Sequence, residues 1–182
     1  MLGGSQGAQK LNELILQSLP QLLEKYQVIH QVGKANLEDY TTRLEAVLEK
    51  SKYRSRYKVF GYLHSLAMSM SAGIASLVIS RAGSTIFEIA SWGTPSIIIP
   101  IPEETSRDQR SNAFSYARAG ACTVMEEENM GPRILLAELE RILGDKEIYR
   151  EMQQNAKAFF VPDAAEKIAH EIIEIGLSHT KK

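Results

Sequence analysis

The sequence predicts an α/β fold in which a doubly wound parallel sheet is covered by helices on both faces. Short runs that are apolar throughout alternate along the chain with amphipathic stretches of helical spacing, and glycine or proline marks most transitions. Strands that are apolar throughout are typical of parallel sheets, and the stretches between them supply the crossover helices that such sheets need. The 182 residues suffice for one domain with its own core.

The first half of the chain predicts helices alternating with two strands. Leu11, Leu14 and Ile15 recur at helical spacing and predict a helix over 8–18. Pro20 interrupts this pattern and fits the first turn of a continuing helix over 21–25. The elements that follow are a strand at 28–32 closed by Gly33, a charged amphipathic helix at 37–50, a short strand at 57–60 and a helix at 64–72.

The second half continues the alternation and ends in three helices. Its predicted elements are a strand at 77–80, a helix at 84–92 ended by Gly93 and Pro95, a strand at 96–99 stopped by Pro100 and Pro102, a helix at 107–119, a strand at 121–125, and helices at 132–143, 146–158 and 163–175. Right-handed crossovers would wind these elements into a Rossmann-like domain over residues 1–176, followed by a polar tail at 177–182.

The start of the chain departs from this scheme. A glycine-rich segment at 3–7 resembles the turn between a first strand and its helix, yet only Met1 and Leu2 precede it. A strand of about five or six residues is expected there. We therefore expect a truncated first strand, either because the sequence is a fragment or because the strand comes from elsewhere.

Composition excludes several classes of function. A net charge of −1 gives no field that would favour nucleic acid, and the single Cys122 excludes an internal disulfide and a multi-cysteine zinc site. No apolar run reaches the roughly 18 residues that span a bilayer. The first residues have no signal-peptide pattern, so we expect a cytoplasmic location.

The first candidate site is the glycine-rich segment, in which Gly4, Ser5 and Gln6 open a helix. Backbone amides in such a turn can bind an anion, and the Ser5 hydroxyl adds a donor. The spacing matches neither a Walker loop nor the dinucleotide fingerprint. The alternative is an ordinary helix start with flexible glycines.

The second candidate site lies where the strand at 77–80 ends and a helix begins. Gly83, Ser84 and Thr85 offer amides for a second phosphate contact, and Glu88 could accept both hydroxyls of a ribose. The alternatives are an N-cap for Ser84 and a favourable helix-dipole charge for Glu88.

The third candidate site is the start of the helix at 107–119. Asp108, Gln109 and Asn112 can share one helical face, and amides and carboxylates suit sugar hydroxyls. The alternative is a solvated first turn. We interpret His30 as structural, His64 as a cap or solvent contact, and the glutamates at 126–128 as a solvated turn.

Four segments in this order and spacing resemble one family. They are GGSQGA from residue 3, HQVGK at 30–34, ISRAGSTIFEIASWGTPSIIIPIP at 79–102 and RDQRSNA at 107–113. Together they resemble the C-terminal domain of the MurG family, the GT-B enzymes that transfer N-acetylglucosamine from UDP-N-acetylglucosamine to an undecaprenyl-pyrophosphoryl-muramyl-pentapeptide. The resemblance extends from Gly3 to about Gly176.

The resemblance implies a role for each matching residue. Ser5, with Gly4 and Gln6 beside it, would contact the UDP diphosphate, and the backbone of Leu63 would contact the uracil. The other implied contacts are Ser84, Thr85 and Ile86, beside Gly83, to the diphosphate, Glu88 to the ribose, and Gln109, with Asp108 and Asn112, to the N-acetylglucosamine. The segment 81–88 is one residue shorter than in many members, which leaves open a shift of one position at 84–86.

The resemblance also implies an inverting transfer that needs no metal or other cofactor, with helix N-termini stabilising the departing UDP. The acceptor site and the catalytic base would belong to an N-terminal domain that this sequence does not include. That domain would also bring the enzyme to the inner face of the plasma membrane. The alternatives are the donor-binding subunit of a split two-chain transferase and a non-catalytic nucleotide-sugar-binding module.

Overall fold

The computed structural model describes residues 1–3, 8–102 and 107–179, and it confirms the predicted α/β class. The strands are β1 (Val28–Gln31), β2 (Tyr57–Phe60), β3 (Val78–Ser80), β4 (Ser96–Ile98) and β5 (Cys122–Val124). The helices are α1 (Gln9–Lys25), α2 (Leu37–Leu48), α3 (Ser65–Ile74), α4 (Thr85–Trp92), α5 (Arg107–Arg118), α6 (Pro132–Gly144), α7 (Lys146–Phe159) and α8 (Ala164–His179).

Residues 1–3 join the strands into one sheet. β1 pairs with β2, β4 pairs with both β3 and β5, and every pairing is parallel. Leu2 bridges Gln31 on one side and Ser80 on the other, again in parallel. The spatial order is therefore β2, β1, residues 1–3, β3, β4, β5. The expected first strand takes the central position, and Leu2 is its bridging residue.

The two faces of this sheet carry two separate hydrophobic cores. Ile97 and Ile99 belong to the core shared with α1, α2 and α6, whereas Ile98 belongs to the core shared with α4 and α5. This division follows from the alternation of side chains across a strand. Helices on both faces of a parallel sheet make the domain doubly wound, as predicted.

Pro20 lies inside a continuous helix, so the predicted break before residue 21 is wrong. A proline in a helix interior removes one backbone hydrogen bond and costs about 3 kcal/mol. Leu19, Leu22 and Leu23 are at most 2% exposed and anchor the helix on both sides of the proline in the first core. Burial of these leucines offsets the loss.

Tyr116 and Cys122 belong to the second core. Tyr116 is fully buried, and burial raises the pKa of the Cys122 thiol to about 12, which makes the thiolate unfavourable. Helix α8 continues to His179, beyond the predicted end at 175. Across residues 1–3, 8–102 and 107–179, no helix has both the length and the apolar character needed to cross a bilayer.

Candidate functional site

The candidate site lies at the carboxyl edge of the sheet, between the exits of two neighbouring strands, residues 1–3 and β3. After residues 1–3 the chain continues into α1 on one face, and its next strand, β1, pairs on one side of Leu2. After β3 the chain continues into α4 on the opposite face, and its next strand, β4, pairs on the other side. The strand order reverses between these exits, which is where open α/β sheets bind ligands.

Hydrogen bonds hold residues 1–3 between β3 on one side and β1 on the other. The buried Ser80 hydroxyl donates to the carbonyl of Leu2 at 3.4 Å, and the amide of Gly3 donates to the carbonyl of Gln31 at 3.1 Å. A Cβ added to Gly3 would lie only 3.1 Å from the amide nitrogen of Ala8 and from the carbonyl oxygen of Gln31. The chain passes too close to itself here for a larger residue to fit without a shift.

The turn before α4 presents the amides that the sequence predicted. The amide of Ile86 donates to the carbonyl of Gly83 at 3.2 Å, and the amides of Ser84 and Thr85 precede it at the helix start, where intrahelical acceptors are lacking. Ser84 has helical backbone angles and makes no side-chain capping bond. Ser84 therefore occupies the N-cap position of α4 without using its hydroxyl as a cap.

The side chains and surroundings of this turn differ in what they can offer a ligand. Ile86 is 1% exposed and packs in the second core, so only its backbone can contact a ligand. Glu88 is exposed in the first turn of α4. A Cβ added to Gly83 would meet nothing within 4 Å, so the turn is open at this point.

The start of α5 lies beside this turn. The side-chain amide of Asn112 donates to the carbonyl of Ala82 at 3.3 Å, which links α5 to the residue before Gly83. Gln109 lies one helical turn earlier, and its Oε1 is buried without a partner among the residues that the structure describes. Asp108 is exposed. The Asn112 nitrogen thus supports the turn, and the Gln109 carbonyl oxygen is an available acceptor.

Leu63 follows β2 at the same edge of the sheet and is 4% exposed. Its amide donates to the Oε1 of Gln31 at 2.8 Å, a buried contact that the sequence did not suggest. Because the amide of Leu63 is already hydrogen-bonded, its carbonyl is the backbone group that can contact a ligand in this conformation. Gly4, Ser5 and Gln6 lie outside the described residues.

An ion-pair network at this edge is a feature that sequence reasoning missed. The interpretation of residues 126–128 as a solvated turn is wrong for Glu127, whose side chain is 5% exposed and pairs with Arg81 and, at 2.7 Å, with Lys10. Burial alone would raise the pKa of Glu127, but hydrogen bonds and charge from the two cations outweigh it and lower that pKa. The sequence feature that could have indicated this network is Arg81, a charged residue directly after a buried strand.

His30 and His64 have different surroundings. His30 is fully buried, with Nδ1 2.7 Å from the Tyr57 hydroxyl, which confirms its structural role. His64 is exposed at the start of α3, makes no capping bond, and packs edge-on against Tyr62 with the ring centroids 5.1 Å apart.

Comparison with known proteins gives consistent matches over most of the chain. Residues 1–168 match the Glycosyltransferase family 28 C-terminal domain. Two relatives named UDP-N-acetylglucosamine–N-acetylmuramyl-(pentapeptide) pyrophosphoryl-undecaprenol N-acetylglucosamine transferase are similar. The one from Natranaerobius thermophilus is 34% identical over 92% of this chain, and one from Bacillus thuringiensis subsp. konkukian is 36% identical over 96%. In both comparisons the chain spans 46% of the relative's length.

Solved structures agree with the sequence matches. Acinetobacter baumannii MurG superposes with a TM-score of 0.75 at 26% identity, covering 95% of this chain and 48% of that one. S. aureus MnaA, in a co-structure with UDP, superposes with a TM-score of 0.70 at 14% identity, covering 90% of this chain and 41% of that one. The second likeness concerns the fold alone.

Proposed function

Since the chain belongs to the family of glycosyltransferase family 28 C-terminal domains, we propose that it is the donor-binding half of an inverting N-acetylglucosaminyltransferase. Its ligand is UDP-N-acetylglucosamine, held at the candidate site between residues 1–3 and β3. The relatives' names specify transfer from a UDP-N-acetylglucosamine donor. The reaction proposed for the whole enzyme is the one these names describe, on an undecaprenyl-pyrophosphoryl-muramyl-pentapeptide.

The observation that carries this proposal is the pairing of Leu2 with Ser80. It brings the glycine-rich segment and the turn at 81–84 to adjacent strand ends at the point where the strand order reverses. We propose that backbone amides at these two strand exits bind one pyrophosphate, since amides at helix starts favour such an anion. We assign the amides of Ser84 and Thr85 to one side of it and those of Gly4, Ser5 and Gln6, which lie outside the described residues, to the other.

The remaining roles follow from the positions of the side chains. Glu88 accepts the ribose hydroxyls, because it is an exposed carboxylate one turn into α4. The carbonyl of Leu63 addresses the uracil. Gln109 contacts the N-acetylglucosamine through its unpartnered Oε1, with Asp108 beside it, and Asn112 supports the turn from behind.

The chemical role of this half in the proposed reaction is to stabilise the leaving group, UDP. In the proposed reaction the acceptor 4-hydroxyl loses its proton to a base in the other half of the enzyme, and its oxygen attacks the anomeric carbon of the sugar from the face opposite UDP. The bond from that carbon to the β-phosphate oxygen breaks, and the negative charge grows on the diphosphate. Preorganised amides stabilise this charge most in the transition state, so they lower the barrier without a bound metal.

The acceptor and the base belong to the rest of the enzyme in this proposal. The chain spans about half the length of the curated relatives that it matches. The relatives' names specify an undecaprenyl-linked acceptor. A long hydrocarbon chain of this kind partitions from water into a membrane. We place the catalytic base, the acceptor contacts and a peripheral attachment to the cytoplasmic face of the membrane in that other half.

Calorimetric titration of the chain with UDP-N-acetylglucosamine in EDTA tests the proposal. We expect saturable one-to-one binding of UDP and UDP-N-acetylglucosamine, and at least about ten-fold weaker binding of ADP and GDP, because a site built for uracil hydrogen bonds rejects other bases. Absence of UDP binding, or equal affinity for the three nucleoside diphosphates, would contradict the assignment of a UDP-sugar site.

Two variants sharpen this test at the ribose. Glu88→Ala should weaken UDP binding about ten-fold or more, the effect of losing charge-assisted hydrogen bonds of ~1.5–3 kcal/mol. Glu147→Ala is the matched control, because Glu147 is also an exposed first-turn carboxylate, in α7. Equal affinity of the Glu88 and Glu147 variants for UDP would remove Glu88 from the ribose site.

A further inference from the structure

The side chain of Arg81 spans the carboxyl edge of the sheet. Arg81 is the first residue after β3, and its side chain is 12% exposed. One guanidinium nitrogen donates to the carbonyls of Ile99, at 3.2 Å, and Pro100, at 3.3 Å, directly after β4. The other terminal nitrogen pairs with Glu127, which follows β5. Arg81 therefore ties together the ends of three consecutive strands.

Glu127 extends this connection to the other side of the candidate site. Its second carboxylate oxygen lies 2.7 Å from the ammonium of Lys10, in the first turn of α1. α1 begins at Gln9, two residues after the glycine-rich segment ends. One network thus runs from the turn before α4 to the helix that follows the other phosphate-binding segment.

Stability alone accounts poorly for such a network. Removing two charges from water carries a large desolvation cost, and the attraction between buried partners often does no more than offset it. What a guanidinium offers is a planar fork that satisfies several acceptors in a fixed geometry, which lysine cannot reproduce. Two backbone carbonyls and one carboxylate use this property of Arg81.

We propose that Arg81 and Glu127 are positioning residues for the donor diphosphate, holding the turn at 82–84 and the start of α1 at the separation that a pyrophosphate requires. This inference rests on the proposed function, since it says how the proposed diphosphate site keeps its geometry. Neither side chain needs to touch the ligand. Asn112, bonded to the carbonyl of Ala82, supports the same turn from α5.

The direction in which UDP affinity changes when a charge is removed distinguishes a positioning role from a purely electrostatic one. Glu127→Gln keeps the size of the side chain and removes one negative charge near the bound diphosphate. If Glu127 acted only through its field, this loss would strengthen the binding of a polyanion. If Glu127 positions the two junctions, the same substitution weakens binding, because the Arg81 fork and Lys10 lose their shared partner.

The experiment measures the affinities of native chain and variants for UDP by calorimetry and for uridine by ligand-observed NMR. We expect Glu127→Gln to weaken UDP binding about five-fold or more and to change uridine binding by less than about two-fold, because preorganisation is lost only at the phosphates. Glu140→Gln is the control, since Glu140 pairs with Lys25 at the far end of α1 and both side chains are more than half exposed.

Two further variants keep the test independent of folding. Lys10→Ala removes only the exposed arm, at 68% side-chain exposure, and should weaken UDP binding less than Glu127→Gln, again without affecting uridine. Arg81→Lys keeps the charge but cannot serve all three acceptors, so it should resemble Glu127→Gln. Thermal unfolding of each variant confirms that the folded chain is being titrated.

Unchanged or tighter UDP binding by Glu127→Gln overturns the positioning role, and so does an equal loss of UDP and uridine affinity. If the native chain binds uridine and UDP but the variants behave like the Glu140 control, the inference fails while the proposed function stands. A native chain that does not bind UDP overturns both.

Discussion

His30 shows how a buried titratable residue sets the acid limit of this fold. Its imidazole lies in β1 with no exposed surface, and its Nδ1 contacts the hydroxyl of Tyr57, which donates to the hydroxyl of Tyr40 at 2.9 Å. Burial holds the pKa of His30 well below its usual value of about 6.5. The folded chain therefore keeps the ring neutral, whereas the unfolded chain protonates it near pH 6.5.

The consequence is a loss of stability in acid. Below about pH 6.5 the unfolded state binds one proton more than the folded state at this site, so the free energy of unfolding falls by up to ~1.4 kcal/mol per pH unit. Above that pH the two states bind equally and the contribution of His30 is flat. We expect His30→Gln to flatten the slope between pH 6.5 and 5, as measured by urea unfolding at several pH values.

His64→Gln is the matched control for this prediction. The His64 ring is exposed, so its removal should leave the slope of the native chain unchanged. An unaltered slope in the His30 variant would mean that other groups cause the loss of stability in acid.

At the scale of elements, strand and helix positions were largely predictable from local pattern. Each strand lies next to a glycine, a proline or a polar turn, and every predicted strand lies within one residue of its observed position at both ends. Only β1 and β2 depart from the apolar pattern of the predicted strands by more than a single small polar residue, because they contain His30, Gln31 and Lys58. Gly93 illustrates why element ends could be predicted, since its φ of +64° ends α4 in the left-handed region that favours glycine. Pro20 was misjudged because burial of leucines on both sides of it is tertiary information.

Helix α8 leaves almost all of its side chains in solvent. Residues 165–177 are all exposed, including Ile168, Ile172 and Ile175, each at least 57% exposed. A hydrophobic side chain that stays in water in the folded state contributes little free energy of folding. α8 should therefore add little to the stability of this chain.

Matched isoleucine substitutions test this expectation. Ile142→Ala, in α6, removes a side chain with no exposed surface and should cost about 2–5 kcal/mol. Ile172→Ala, with Ile172 64% exposed in α8, should change the free energy of unfolding by no more than about 0.5 kcal/mol. Urea unfolding measures both, and a comparable loss in the two variants would show that α8 packs against something in solution.

At the scale of the molecule, the location of the candidate site was predictable but its internal geometry was not. Parallel strands place every strand exit at one edge, so the segment at 3–7 and the turn at 81–84 could be assigned to the same edge from sequence. The adjacency of these two segments depends on Leu2 pairing with both neighbours, and two residues give no strand pattern to detect. The partners of Glu127 are 46 and 117 residues away along the chain, beyond the reach of local patterns.

The whole-molecule prediction concerns transfer rather than binding. A donor site can hold UDP-N-acetylglucosamine alone, but displacement at the anomeric carbon needs an oriented acceptor and a base on the opposite face of the sugar, which this half does not supply in our proposal. We expect the isolated chain to give no transfer to a muramyl-pentapeptide pyrophosphoryl-lipid, measured as radiolabelled product. Adding the N-terminal half of a relative, fused or as a second chain, should restore turnover.

Glu88→Ala combined with the same N-terminal half is the informative control. Because Glu88 contacts the donor in our proposal, this variant should lower kcat/KM by about ten-fold or more, through the loss of charge-assisted hydrogen bonds to the donor. Donor binding without turnover, even with several acceptor halves supplied, would favour a nucleotide-sugar-binding module. Turnover by the isolated chain would show that residues 1–182 contain their own acceptor site and base, which contradicts the division of labour proposed for the two halves.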